Sequence, residues 1–157
     1  MPATATARFN ASELVKAWCG WHIAPSKTET VFLRGASGGR LFLPSLHVTA
    51  VTSVLVDDVA VTDYQWSPEG ELWRPTGWWS DRLRGVAVTL EHGYDAMPVP
   101  VQAVIDGMAE RASSAPATMQ QIGPFRFATG ADGSPVGGNP SLWDQSVLRA
   151  YRIPVVS

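Results

Sequence analysis

The sequence predicts an α+β fold: a small helical bundle with an inserted antiparallel β module and an extended C-terminal region. Three observations predict it. Helix signals stand on either side of the chain's middle, at residues 10–20 and 98–113. Between them, residues 28–93 carry only short β-prone runs punctuated by Gly, Pro and Asp. Those runs lie too close together for parallel crossovers, which need a dozen or more residues, so the strands pair antiparallel.

In the first helix Asn10 is placed to cap, and Glu13 three residues on has the spacing of a capping box. Leu14, Val15 and Trp18 fall on one face, and Gly20 is placed to end the helix in a left-handed turn. The β module opens with Thr28 to Leu33, followed by a glycine-rich turn and Leu41-Phe42-Leu43, which Pro44 closes. His47 to Val56 is its longest strand, with a tight turn at Asp57-Asp58 before Val59 to Val61. Tyr64 to Ser67 and Glu71 to Arg74 flank Pro68-Glu69-Gly70 as a hairpin. Val86 to His92 alternates, with Val86, Val88 and Leu90 on one face.

After Pro98, the residues Val101, Val104, Ile105 and Met108 repeat at helical spacing and make one apolar stripe. Gly107 inside that helix suggests close helix packing. Residues 114–157 form the extended C-terminal region: irregular to about residue 140, apart from a β-prone Phe125-Arg126-Phe127, and then a short helix. That helix starts at Ser141 with Asp144 three residues on; Trp143, Val147, Leu148 and Tyr151 are its expected apolar face, and Pro154 ends it.

The length of 157 residues suits a single domain able to bury a core without staples. A net charge of −2 argues against a free nucleic-acid binder, and the 17% of charged residues falls below the ~25% usual in soluble domains. Such a shortage suits a chain with much of its surface against another protein. No apolar run reaches the ~18 residues of a membrane span, and no basic stretch leads into an apolar core near Met1, so neither a span nor a signal peptide is expected.

Cys19 is the only cysteine, which excludes an internal disulfide and is compatible with a reducing compartment. It sits at a predicted helix C-terminus, where the dipole disfavours a thiolate, so it reads as structural. His22, His47 and His92 are scattered and have no metal-ligand spacing. The glycine-rich pieces around Gly35 and Gly130 lack the Gly-Lys-Ser/Thr ending of a phosphate loop, and no Gly-x-Ser-x-Gly elbow occurs. The residues therefore point away from an enzyme, with no catalytic, cofactor or metal site.

Trp66, Trp73, Trp78 and Trp79 crowd the β module and leave three readings open. They fill a small sheet core, anchor a protein interface, or stack on a sugar. Arg74, Arg82 and Arg84 nearby read as a solvated loop rather than a basic patch.

Several short motifs follow one another in order. They are Trp21-His22-Ile23-Ala24-Pro25, Leu41-Phe42-Leu43-Pro44 with Val51-Thr52-Ser53-Val54, and the Asp63-Tyr64-Gln65-Trp66 and Gly70-Glu71-Leu72 hairpin. Arg84-Gly85-Val86-Ala87-Val88-Thr89, His92-Gly93-Tyr94-Asp95-Ala96-Met97-Pro98, a helix, and Leu148-Arg149-Ala150-Tyr151-Arg152-Ile153-Pro154 complete the set. In this order the chain, from about Trp18 to Pro154, resembles the head-to-tail adaptor (head completion, or connector) proteins of long-tailed phages, the siphoviruses, especially those infecting actinobacteria. One departure lies at Gln120-Gln121-Ile122-Gly123-Pro124-Phe125-Arg126-Phe127, where Pro124 removes an N–H from the hairpin expected there.

The resemblance implies a structural virion protein with neither catalysis nor cofactor. It implies a homo-oligomeric, dodecameric ring in the head–tail neck, assembled in the host cytoplasm and docked under the capsid portal after packaging, where it extends the DNA channel. The implied partners are further copies of the chain, the portal protein and the next neck or tail-completion protein. DNA would pass through without sequence-specific binding, and no membrane is involved. Inter-subunit and portal contacts would fall to the segment from Met119 to Tyr151. The expected interface residues are Phe125, Phe127, Trp143, Leu148, Tyr151 and Arg152, with Trp78 and Trp79 from the β module. The alternative is a small carbohydrate-binding β module using Trp66, Trp73, Trp78 and Trp79.

Overall fold

The computed structural model describes residues 4–35, 38–114, 118–122, 125–129 and 140–154, with the backbone alone for 118–122 and 125–129. In chain order the elements are α1 (Ala5–Cys19), β1 (Lys27–Leu33), β2 (Arg40–Phe42), β3 (Val48–Val56) and β4 (Val59–Val61). Then come β5 (Gln65–Trp66), β6 (Glu71–Trp73), β7 (Val86–His92) and α2 (Val99–Ser114). The last are β8 (Thr118–Ile122), β9 (Phe125–Thr129) and α3 (Leu142–Leu148), which runs into a 3-10 turn at Arg149–Tyr151. The fold is mixed α+β, as expected. The single domain expected from length is built as two compact units: residues up to Cys19 join Pro98–Arg152 in one, and Gly20–Met97 form the other with the segment from Ile153.

The helical unit is made from both ends of the chain. α1 begins five residues before the expected start, because Thr4 rather than Asn10 caps it: the Thr4 hydroxyl accepts from the Ala7 N–H at 3.2 Å. Asn10 is an exposed mid-helix residue. The earlier start also moves the buried stripe to Ala11, Val15 and Cys19, leaving Leu14 exposed and Trp18 half-buried. Gly20 ends α1 at φ +83°, the left-handed conformation that a side chain resists.

α2 buries Val101, Val104, Ile105 and Met108 as its periodicity predicts, and Ala109 besides. Each of the four larger side chains contributes about 1.5–3 kcal/mol relative to exposure. Gly107 does not mark a close helix crossing; only the Arg111 guanidinium comes near it. α1 and α3 both pack on α2. Beyond the expected end of the second helix, α2 continues to Ser114, and β8 pairs antiparallel with β9 from Thr118↔Thr129 to Ile122↔Phe125.

The β unit encloses its own core between two antiparallel sheets. The larger has the order β1-β7-β3-β4 and the smaller β2-β6-β5. Val48, Val54, Val86, Val88 and Leu90 line the inner face of the first and meet Leu41 and Leu72 of the second, with Leu43 and Trp79 between. Asp57 and Asp58 both adopt positive φ (48° and 66°), the backbone that a two-residue β3–β4 hairpin demands.

Candidate interaction surfaces

In the smaller sheet, β2 and β6 pair Arg40↔Trp73, Leu41↔Leu72 and Phe42↔Glu71. Strand alternation therefore sends Leu41 and Leu72 inward and puts Arg40, Phe42, Glu71 and Trp73 on the outer face. Phe42 is 64% exposed and Trp73 42%. Arg40 and Glu71 form an ion pair at 3.3 Å between them. A shallow groove of about 220 Å³ runs along this sheet, lined by Arg40, Gln65, Trp66, Ser67, Glu71 and Trp73.

The loop after β6 is organised by Arg74. Its Nε and Nη2 donate to the Asp63 carboxylate at 3.3 and 3.0 Å, and its Nη1 donates to the Trp78 carbonyl at 3.0 Å. The guanidinium also lies 5.5 Å from the centre of the Trp79 ring. This hydrogen bonding holds the Asp63 carboxyl below its ordinary range. Arg74 is thus a loop organiser rather than the solvated residue expected.

The four clustered tryptophans separate. Trp79 is 2% exposed and donates its indole N–H to Gly39 O at 2.8 Å, so it is a core residue and is spent inside its own unit. Trp78 is 73% exposed although its backbone is pinned. Of the other arginines, Arg82 pairs with Asp57 at 3.4 Å and Arg84 lies over the Phe32 ring at 4.2 Å.

In the helical unit, Ser141 and Asp144 form the expected capping box of α3. Of the apolar four predicted for α3, Leu148 is buried and shares the buried face with Asp144, while Val147 and Tyr151 are half-buried. Asp144 turns inward because Arg111 of α2 donates to its Oδ2, and Trp143 is turned out, 61% exposed. Leu148 is fully buried, which makes it core, not interface. Tyr151 is half-buried; Arg152 is exposed, its guanidinium 4.8 Å from the centre of the Trp18 ring. Phe125 and Phe127 alternate onto one face of β9, opposite Ile122 and Gln120; their side chains lie outside the described residues.

Cys19 is buried, and burial pushes its thiol up to about 11, with Arg152 pulling the other way, so it stays a thiol as expected. The histidines are less scattered than their spacing suggests. The His22 and His92 rings lie 6.2 Å apart, and His47 stacks on Tyr94 at 4.0 Å. His92 is buried, donates from Nε2 to Glu29 at 2.9 Å, and has no partner for Nδ1 among the described residues. Burial lowers its basicity, with Lys27 and His22 adding to that, against the raising effect of Glu29. Hydrogen bonding from Lys27 and His92 lowers the Glu29 carboxyl in turn. Among the described residues no group of three or more His, Cys, Asp or Glu could hold a metal ion, and no helix is long and apolar enough to cross a membrane.

No family model matches the chain, and no curated protein matches it. Solved structures do. A chain in the neck of a native gene transfer agent particle, computed with C12 symmetry, superposes with TM-score 0.62 at 14% identity, over 97% of this chain and 82% of the other. A chain in the neck of the empty particle, computed with C6 symmetry, gives TM-score 0.62 at 16% identity, over 97% of this chain and 78% of that one. A chain from the virion of the native particle matches equally well at 14% identity, covering 97% and 77%. The protein thus shares its fold with a neck component of a gene transfer agent particle.

Proposed function

We propose that this protein is a structural component of the neck of a phage-like particle, forming a ring between the capsid portal and the tail. The observation that carries the reading is fold agreement over 97% of the chain with a chain in the neck of a gene transfer agent particle, a neck computed with C12 symmetry. The order of motifs that resembles head-to-tail adaptors supports it from an independent direction. In this reading the protein catalyses nothing. It is a virion protein whose partners are its own copies, the portal and the next neck or tail-completion protein.

The physical chemistry is consistent with that role. A chain of net charge −2 does not grip the phosphate backbone, so DNA moves through a channel that it lines without sequence-specific binding. Exposed Trp78 and Trp143, one in each unit, are the aromatic anchors that interfaces favour. Arg152, Tyr151, Phe125 and Phe127 remain assigned to subunit and portal contacts. Deleting the gene tests the role: DNA-filled heads should accumulate without tails, and normal tailed particles would contradict it.

The groove beside Trp66 and Trp73, with Gln65 and Ser67 as polar neighbours, favours carbohydrate binding as a second reading. Saturable quenching of tryptophan fluorescence by oligosaccharides would establish it.

A further inference from the structure

We propose that residues 21–26 and the turn at Gly93-Tyr94 form an acid-released clasp, held shut while the His92 ring is neutral and opened, as a local unit, when that ring takes up a second proton. The inference is independent of the neck reading.

The clasp joins the two ends of the β unit's main segment, which enters at Gly20 and leaves at Met97. The Tyr94 N–H donates to Ile23 O at 2.7 Å, and the Gly93 N–H to His47 O at 2.8 Å. Gly93 holds φ +96°, and a Cβ there would stand 3.2 Å from both Ile23 O and Pro25 O, so backbone meets backbone at this point. The Tyr94 ring stacks on His47 and lies 6.3 Å from the Trp21 ring. Burial of Trp21 and Ile23 keeps the clasp shut at neutral pH. These contacts lie beyond the last rung of the β1–β7 ladder, Lys27↔His92. They can therefore part while the sheet stays paired, as a sub-global opening.

His92 is the trigger because its surroundings accept the neutral ring and resist the charged one. The residue is 1% exposed, and its Nε2 donates to Glu29 at 2.9 Å. Its Nδ1 is buried with no partner among the described residues. In the neutral ring that atom is a lone pair; a second proton makes it a buried donor without an acceptor.

The groups that face the ring do not offset that charge. Glu29 is shared, since the Lys27 ammonium donates to its other oxygen at 2.7 Å. The His22 ring lies 6.2 Å away and donates from Nε2 to Pro25 O at 2.6 Å, so a proton on both rings sets like charges side by side within the clasp. Glu91, next to His92 on the strand, points to the opposite face and accepts from Ser26. Burial first, then Lys27 and His22, make the ring less basic, against the pull of Glu29. Opening returns the ring to water and to its ordinary basicity, so acid favours the open form.

Native-state hydrogen exchange of the purified full chain, read by mass spectrometry and corrected for the intrinsic rate, tests this at pH 7 and pH 5. An ordinary histidine value of about 6.5 sets a ceiling of about 30-fold on the bias at pH 5. Protection at residues 20–26 and 93–97 should fall by about 10-fold in the wild type and by less than about 3-fold in His92→Gln. At pH 5, about 1 M urea should leave that protection unchanged while lowering the protection of β3, which marks the opening as local. Protection that is equal at the two pH values overturns the proposal, as does an equally large fall in His92→Gln. Clasp protection that drops with urea in step with β3 also overturns it, and that arm needs only the wild type should His92→Gln fail to fold.

Discussion

Arg111 of α2 closes on the carboxylate of Asp144 in α3, and the two ends of that ion pair live in different solvents. Asp144 is fully buried whereas the Arg111 side chain is 55% exposed. The consequence is an asymmetry. Arg111→Ala strands a buried carboxylate and should cost about 3–5 kcal/mol. Asp144→Asn returns Arg111 to water and keeps an oxygen for the Ser141 N–H, so about 1–2 kcal/mol is expected. Urea denaturation of the two variants should show the arginine substitution as the worse.

His92 makes stability pH-dependent. Burial lowers its basicity in the folded state, so the unfolded chain binds the proton more readily. The contribution of neutral His92 is therefore complete above its unfolded value near 6.5, and is lost as pH falls through its lower folded value. Protonation would also leave a buried Nδ1–H with no acceptor among the described residues. The lowered Glu29 acts in a separate window, since its contribution disappears only below the ordinary carboxylate range. Urea midpoints of the wild type should fall between pH 7 and pH 5, and His92→Gln should flatten that slope.

Removing the loop organiser should cost stability. Arg74→Met deletes the donors to Asp63 and Trp78 O, an expected loss of about 2 kcal/mol at pH 7. Asp63, held below its ordinary value, contributes above about pH 4 and loses that contribution as pH falls through its folded value. The gap between wild type and variant in chemical denaturation should therefore narrow in acid.

Two residues of the last helix separate core from surface. Leu148→Ala empties a fully buried site and should cost about 2–5 kcal/mol. Trp143→Ser removes an outward side chain and should stay within about 0.5 kcal/mol of wild type in the same urea titration.

Local periodicity made much of this fold legible. The α2 stripe, the β3–β4 turn at Asp57-Asp58, the β5–β6 hairpin and the Ser141–Asp144 capping box are written in neighbouring residues, and the structure contains each. What escaped depends on distant partners. The inward turn of Asp144 needs Arg111, and without that residue Trp143 reads as the buried face. Trp78 and Trp79 are adjacent and chemically identical, yet Gly39 O takes one indole while Arg74 holds the other's backbone. The proximity of His22 to His92 likewise arises from the fold, not from spacing. The start of α1 was legible in principle, since Thr4 is a good cap followed by helix-favouring Ala5 and Ala7; Asn10 with Glu13 offered a competing signal.

The most direct test of the central claim is a cryo-EM reconstruction of the neck of the purified particle that contains this protein. The account predicts density for this fold as a closed ring between portal and tail. A neck without this chain would contradict it.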